Sequence, residues 1–528
     1  MKQIYLDYNA STPIAPAVAA AMAHATAEGF GNPSSAHWAG TPARKAVETA
    51  RRQVADLLGC APEEVVFTSG GSEANNLALK GVFFASRRQR RHIVTTRVEH
   101  PAIVAPCRFL ERLGAEVTWL PVDGTGLVDP DDLRRAITPD TILVSIMHAN
   151  NEVGTIQPIA DCAAITRERG IPFHSDAAQS VGKIPTRVGE LGVDLLTIAG
   201  HKLYAPKGIG ALYVRQGLPL EPLVHGAGHE GGRRAGTESA ILTAALAAAC
   251  VLARDLAPME GVQALRDRFW SALEQRFGTD VALNGHPERR LPNTLNVSFV
   301  GRVGAEILAG LDGVAASTGS ACHAGRVELS PVLEAMGISP EVGMGALRFS
   351  LGRETTAGEI DDVIHRLAGA RRQTRESELN SQGLTWTVRP GSHSTAGSMS
   401  KRNTLLRWLA PLATVLSLAA CYGTLAAIAL LGLLGARIVL DDALWAGAII
   451  AFALVAVAGL TLGARRHRTF WPLAVGAIGA AAVVYAMIVS YDRLIEIGGF
   501  ILLTLAAAAD WRIPRSYADQ PLHEQEPS

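Results

Sequence analysis

Cysteine is scarce in this chain: six residues in 528, at positions 60, 107, 162, 250, 322 and 421. None forms a CxxC pair, and none clusters at zinc-ligand spacing. That scatter argues against a disulfide framework and a structural zinc site, and it fits a reducing, cytosolic compartment. An excess of charge of either sign is also missing, because 49 Lys and Arg balance 49 Asp and Glu. Without a basic surplus, direct nucleic-acid binding is not expected. The opening residues, "MKQIYLDYNASTP", lack the long apolar core of a signal peptide.

What the chain does have is length and a sharp internal contrast. At 528 residues it exceeds one ordinary hydrophobic core, so at least two domains are expected. Up to about Ala370, short β-branched runs ("EVVFTSG", "TILVSIMHA", "DLLTIAG", "GALYV") alternate with Ala- and Arg-rich helical stretches. That alternation predicts an α/β domain of parallel strands with helical crossovers. Residues 371–403 are polar, rich in Ser and Gly and without periodicity, and they read as a flexible linker.

Four apolar runs follow, at about Leu409–Ala436, Ala443–Gly463, Phe470–Ser490 and Leu494–Ala509. The first three have the length that crosses ~30 Å of hydrocarbon. The fourth is shorter and carries Glu496, so a hairpin in the interface competes with a full span. Lys401, Arg402 and Arg407 precede the first run, Arg465, Arg466 and Arg468 separate the second and third, and Arg512 and Arg515 follow the fourth. The remaining loops mix Arg437 and Arg493 with Asp441, Asp442 and Asp492. This alternation predicts a multi-pass inner-membrane protein with four spans and with both termini and the first domain cytoplasmic.

Several motifs in the first part carry chemistry. In "DLLTIAGHKLYAPKGIG", Lys202 follows a strand in a Gly-rich turn, the end of an α/β strand where ligands bind. In "IPFHSDAAQS", Asp176 ends another strand, with Gln179 just after. A Schiff-base lysine with a carboxylate for a pyridinium nitrogen is the pattern of pyridoxal phosphate. "FTSGGSEANN" runs from a strand through Gly71 and Ser72 into a helix, a cradle for a phosphate. His100 in "VEHPA" is a flat ring able to stack on a cofactor, and Asn151 in "HANNEVG" is a polar contact or a turn residue. Cys322 sits in "STGSACHAG", where a lone thiol among small residues is most simply an incidental loop cysteine.

These pieces, with "YLDYNASTP", "GNPSSAH", "GRRAGTES" and "LRFSLGRETT", stand in the order and spacing of the cysteine desulfurases. The chain resembles that group of class-V aminotransferase-like, pyridoxal-phosphate enzymes from Ile4 to about Ala370. The resemblance implies an aspartate-aminotransferase-like α/β fold (pyridoxal-phosphate fold type I). Its large domain, about residues 15–255, holds a mostly parallel sheet. Its small α+β domain combines the N-terminal segment with about residues 256–370. The linker 371–403, an all-α transmembrane region at 404–511 and a cytoplasmic tail at 512–528 would follow.

The resemblance also implies roles. Lys202 would carry the cofactor and move protons, Asp176 would hold the pyridinium nitrogen, Gln179 would touch the ring oxygen, and His100 would stack on the ring. Gly71, Ser72 and His201 would bind phosphate, and Thr237 would reach the phosphate of the neighbouring subunit in an obligate homodimer. Arg348 would pair with the carboxylate of L-cysteine, a natural bidentate match, with Asn32 and Asn151 as further contacts. Cys322 becomes the nucleophile that takes the substrate's sulfur as a persulfide on a mobile arm, for a scaffold or sulfur-acceptor protein in iron–sulfur cluster assembly or thiolation. No resident metal is expected; Cys322 would meet iron only as a cluster forms during transfer.

Two departures stand out. Ala199 occupies a position where the family usually has a phosphate-binding serine, which removes one hydrogen bond, about 0.5–1.5 kcal/mol net. The membrane extension is the other. With Cys421 in its first run and "RRHRTFWPL" between its second and third, it distantly resembles mercuric-ion transport proteins of the inner membrane. Two rival functions remain: a selenocysteine lyase or other class-V relative, and a membrane transporter with a pyridoxal-phosphate-binding regulatory domain.

Overall fold

The computed structural model describes residues 2–318, 320–323 and 326–382, and, further on, residues 453, 457, 460–461, 470–488, 498–499 and 501–506. At 320–323, 326–328, 370–382 and 486–488 it describes the backbone alone. The chain divides into two compact units, Met1–Trp386 and Thr387–Ser528.

The first unit is built on a seven-stranded sheet. Its spatial order is Val65–Thr68, Gly210–Val214, Leu195–Ala199, Phe173–Asp176, Thr141–Ser145, Arg91–Thr96 and Ala115–Leu120. Only Gly210–Val214 runs against its neighbours; the other pairings are parallel. The strands are short apolar runs because both faces are covered, and successive side chains feed opposite faces. Val65, Phe67, Val144, Leu196, Ile198 and Ala211 enter one core, with the helices Gly40–Leu58 and Ala240–Ala253. Val66, Ile93, Leu143, Leu195 and Leu212 enter the other, under the helices Gly71–Ala85 and Pro101–Glu111.

A four-stranded antiparallel sheet, in the order Ser317–Thr318, Ala346–Ser350, Thr294–Phe299 and Val281–Asn284, forms the small domain. It packs on the helices Ala257–Phe277 and Ala357–Gln382 through Phe269, Leu273, Phe349 and Ile360. The N-terminal strand Ile4–Tyr5 joins this domain by parallel pairing with Val314–Ala315. A hairpin, Ser320–His323 with Arg326–Leu329, sets Cys322 opposite Val327.

One expectation needs correction. The helix from Ala357 continues to Gln382, into the stretch 371–403 expected to be linker. Most of "RRQTRESEL" is Arg, Gln, Glu and Leu, which favour helix, and the first glycine after Ala370 is Gly383.

In the second unit, the third apolar run forms the helix Trp471–Ile488. It meets the helical residues 498–499 and 501–506 at a glycine contact, where a Cβ on Gly479 would stand 2.8 Å from the Gly499 carbonyl oxygen. Such small-residue contacts let apolar helices approach closely. Among the described residues no single helix is long and apolar enough to cross a membrane. Most of the four expected spans, and Cys421, lie outside the described residues.

Glycine fixes the corner where the large sheet meets the cradle. Gly70 has φ 150° and ψ −179°, a region glycine alone enters readily. Facing it, a Cβ on Gly210 would lie 2.5 Å from the Ile198 carbonyl oxygen and 2.8 Å from Gly70 Cα. Both obstacles are backbone, so Gly210→Ala is expected to destabilise the fold by about 1–3 kcal/mol. A lower thermal unfolding midpoint checks this; an unchanged midpoint contradicts it.

Candidate active site

A cavity of about 590 Å³ opens at the C-terminal ends of the parallel strands, the side of an open α/β sheet where ligands bind. The strand ends deliver its walls. Phe173–Asp176 ends on Asp176, Leu195–Ala199 leads into the turn Gly200–Lys202, and His100 caps the helix Pro101–Glu111. Val65–Thr68 leads through Ser69 and Gly70 into the helix Gly71–Ala85. Arg348 comes from the small domain, in the middle of the strand Ala346–Ser350.

Of the residues singled out from sequence, Lys202, Asp176, Gln179, His100, Gly71, Ser72, Asn151, His201 and Arg348 all line this one cavity, as does Ala199. Asn32 and Thr237 are exposed and are not among its lining residues; Asn32 accepts a turn hydrogen bond from Ser34 N at 2.9 Å. The Cys322 side chain lies outside the described residues.

The cavity has two chemically different ends. At one end are the N-terminus of the helix Gly71–Ala85, Ser72, Lys207 and His201. His201 Nδ1 is buried without a hydrogen-bond partner, and burial, aided by Lys202 and Lys207, pushes this imidazole down to about 4. A neutral ring with a free nitrogen beside a helix N-terminus suits an anion with ionised and protonated oxygens. Glu73 stands close by, and its carboxylate is engaged by Ser69 N at 2.7 Å and by Arg234 Nε at 2.9 Å.

At the centre, Asp176 is buried, and its Oδ2 accepts from Asn75 Nδ2 at 2.6 Å while its Oδ1 accepts from Ala178 N at 2.9 Å. Lys202 Nζ donates to the carbonyls of Asn9 and, at 2.8 Å, Ala10. Burial, with the Arg348 guanidinium next, pushes its ammonium down to about 8. His100 Nδ1 accepts from Ala102 N at 3.1 Å, which puts its proton on Nε2. Burial and then the charge of Lys202 act to lower its pKa.

At the far end, Arg348 Nη1 donates to the Asn151 carbonyl at 2.9 Å, and Nη2 donates to Asp7 Oδ1 at 2.7 Å and Ser317 Oγ at 2.8 Å. Sequence reasoning passed over Asp7, Asn9, Lys183 and Asn75. Asp7 and Asn9 were visible in "YLDYNASTP", but only as a match and without a role. Lys183, four residues beyond Gln179, donates to Gln179 Oε1 at 2.9 Å and Asn9 Oδ1 at 3.3 Å.

Comparison with known proteins agrees with this geometry. Residues 4–363 match the class-V aminotransferase family, and residues 408–512 match the MerC mercury resistance protein. Cysteine desulfurase IscS of Dictyoglomus turgidum is 48% identical over 374 residues, covering 69% of this chain and 94% of its own. Among solved structures, a NifS-like protein matches with a TM-score of 0.66 and 36% identity, over 71% of this chain and 100% of its own. SspA in complex with cysteine matches with a TM-score of 0.60 and 37% identity, over 67% and 100%. Pyridoxal phosphate fits the cavity. His201 Nδ1 awaits a partner at the anion end, the buried Asp176 carboxylate lies in the wall, and Lys202 offers an amine depressed toward neutrality. The chain belongs to the cysteine desulfurases of the class-V aminotransferase family, and its first unit is a pyridoxal-phosphate-dependent enzyme of that kind.

Proposed function

We propose that this desulfurase takes sulfur from L-cysteine, leaves L-alanine, and passes the sulfur as a Cys322 persulfide to an acceptor protein from a membrane-tethered position. The observation that carries the reading is the convergence of Lys202, Asp176 and Arg348, from two domains, on one cavity. Pyridoxal phosphate supplies an electron sink for bonds at the substrate's α-carbon. Ser72, His201 and the Gly71 backbone would hold its phosphate, Asp176 and Gln179 would hold its ring, and His100 would cover one face. Lys202 would be the residue that holds the cofactor covalently, and its amine would move protons at the substrate's α-carbon. Arg348 and Asn151 orient the substrate carboxylate. Ala199, buried in the phosphate end, offers that group no hydrogen bond.

Cys322 then attacks the substrate's sulfur. An S–S bond forms, the Cβ–S bond breaks, and the carbon takes the electron pair and then a proton to become alanine. Elimination among the thiols of this unit supports the choice. Burial pushes Cys60, Cys107, Cys162 and Cys250 up to about 12, so none is a thiolate near neutrality. Cys322 is the one other cysteine of residues 1–386.

The homodimer follows from the same reading. Thr237 and Asn32 are exposed beside a loop that presents Phe30 and Trp38, 75% and 80% exposed. Such a surface suits a second subunit that receives Thr237 at its phosphate. The membrane tether, and contact with lipid, rest on the MerC match, on the apolar runs and on the alternation of basic loops. The acceptor would be a scaffold or carrier protein for iron–sulfur assembly or thiolation.

Three outcomes test this. The full chain, loaded with cofactor and given L-cysteine and a reductant, is expected to yield alanine and sulfide in equal amounts. Cys322→Ala and Lys202→Ala should each lose at least a hundredfold, and Cys322→Ala should keep its bound cofactor. Sulfide from Cys322→Ala at the wild-type rate would remove Cys322 from the reaction.

Second, only the neutral Lys202 amine captures the cofactor's aldehyde. Its pKa is lowered, so the neutral fraction grows as pH rises through about 8. The rate of cofactor uptake by resolved enzyme should therefore rise with a midpoint near 8, and a midpoint near an ordinary lysine's 10.4 would contradict this.

Third, the full chain should stay with membranes through alkaline carbonate washing, whereas a chain ending at Trp386 should be released.

A further inference from the structure

Arg348 has a resident partner. Its Nη2 donates both hydrogens, to Asp7 Oδ1 at 2.7 Å and to Ser317 Oγ at 2.8 Å, and Ser317 Oγ in turn donates to Asp7 Oδ1 at 2.9 Å. Nη1 spends a hydrogen on the Asn151 carbonyl, while Nε is buried without a partner. A guanidinium offers a carboxylate two bidentate edges, Nη1 with Nη2 and Nε with Nη2. Both use Nη2, the nitrogen that Asp7 and Ser317 already occupy.

We propose that Asp7 is a specificity-setting residue of the substrate pocket: a built-in carboxylate that holds Arg348 on the cavity wall and competes with the incoming α-carboxylate for Nη2. The inference rests on the reading of Arg348 as the carboxylate-binding residue. Asp7 keeps the buried guanidinium compensated and aimed when no substrate is bound, because a buried, unpaired cation is costly. A substrate carboxylate must then displace Asp7 from Nη2, or share the guanidinium with a like charge close by. Ligand affinity is held down in proportion, and so is retention of the product alanine, which carries the same carboxylate. Ser317 adds a geometric link. It pairs in register with Arg348 and lies five residues before Cys322. The exchange at Nη2 therefore takes place where the chain leaves the small-domain sheet toward the sulfur-accepting hairpin.

The experiment uses the full-length holoenzyme and two changes at one position. Asp7→Asn keeps an acceptor oxygen for Nη2 and Ser317 but removes the competing charge. Asp7→Glu keeps the charge and pushes the carboxylate further onto Arg348. Binding of L-alanine and of ethylamine, which lacks a carboxylate, is followed by the change in cofactor absorbance, alongside steady-state kinetics with cysteine.

For Asp7→Asn the expected result is L-alanine affinity tighter and cysteine KM lower by roughly threefold to tenfold, with kcat no higher and ethylamine affinity unchanged. Asp7→Glu should shift L-alanine and cysteine the opposite way, which keeps the test decisive if Asp7→Asn does not fold. Equal shifts for L-alanine and ethylamine, or weaker L-alanine binding in Asp7→Asn, would overturn the proposal while leaving Arg348 its role. Unchanged L-alanine affinity in Arg348→Ala would remove Arg348 from the carboxylate site and the Asp7 proposal with it.

Discussion

Asn9 accepts and donates hydrogen bonds to both domains from a fully buried position. Its carbonyl receives Lys202 Nζ and Gln179 Nε2, its Oδ1 receives Lys183 Nζ and Asn293 Nδ2, and its Nδ2 donates to Thr294 Oγ1 and the Asn151 carbonyl. Its own N–H donates to Ser350 Oγ at 2.9 Å. Lysine and glutamine come from the large domain, threonine and serine from the small one. A network this complete specifies one arrangement, because each orphaned buried group would cost about 1–3 kcal/mol. On either side the same segment makes contacts with residues of the cavity wall. Asp7 holds Arg348, and Thr12 N donates to the His201 carbonyl at 2.9 Å. Reacting groups must be fixed to within a fraction of an ångström, and this short N-terminal strap is what gives the lysine and the arginine a common frame.

The strap also gathers charge. Burial is the main cause of the two lowered lysines, and neighbouring cations add to it: Lys202 and then Arg348 act on Lys183, which falls to about 7, and Arg348 acts on Lys202, which falls to about 8. Asp7 and Asp176 are the counter-charges. On the proposed reading, a cavity poised in this way takes anionic cargo without much further compensation: phosphate at the helix N-terminus, carboxylate at Arg348. It also explains how a lysine can be a nucleophile near neutral pH. The depressed Lys183 serves as a hydrogen-bond donor to Gln179 and Asn9, and its neutral form does so without placing another full charge beside Lys202.

The α/β architecture and most of the cavity were readable from sequence because they follow local rules. Val65 and Phe67 against Val66, or Leu196 and Ile198 against Leu195, alternate as a doubly covered sheet requires. Lys202, Asp176, His100 and the Gly71–Ser72 cradle each sit at a strand end, where the fold puts ligands. Asp7, Asn9 and Lys183 escaped because their meaning lies in partners far along the chain: Asp7 meets Arg348 341 positions away, and Asn9 meets Thr294 285 away. No periodicity or turn rule reports such a pairing. The helix to Gln382 was hidden for the opposite reason. Polar residues without an apolar stripe look like linker, although their intrinsic helix preference carries the helix that begins at Ala357 on past Ala370.

Chemical selectivity among the thiols has a plain physical origin. Cys107, Cys162 and Cys250 are fully buried packing residues, and Cys60 is half-buried near Glu64. Each is held as a thiol, so neither oxidant nor cysteine-bound sulfur competes for it. Cys322 lies instead on a two-stranded hairpin that extends from the edge strand Ser317–Thr318. On the proposed reading, a persulfide formed there would be collected by a partner that reaches the hairpin. On the proposed reading the second unit confines the enzyme to the membrane, and confinement raises the effective concentration of the hairpin toward any acceptor held on the same surface. A membrane anchor on a sulfur donor thus selects the acceptor by location, a selectivity that the active-site cavity, built to recognise cysteine, has no means of providing.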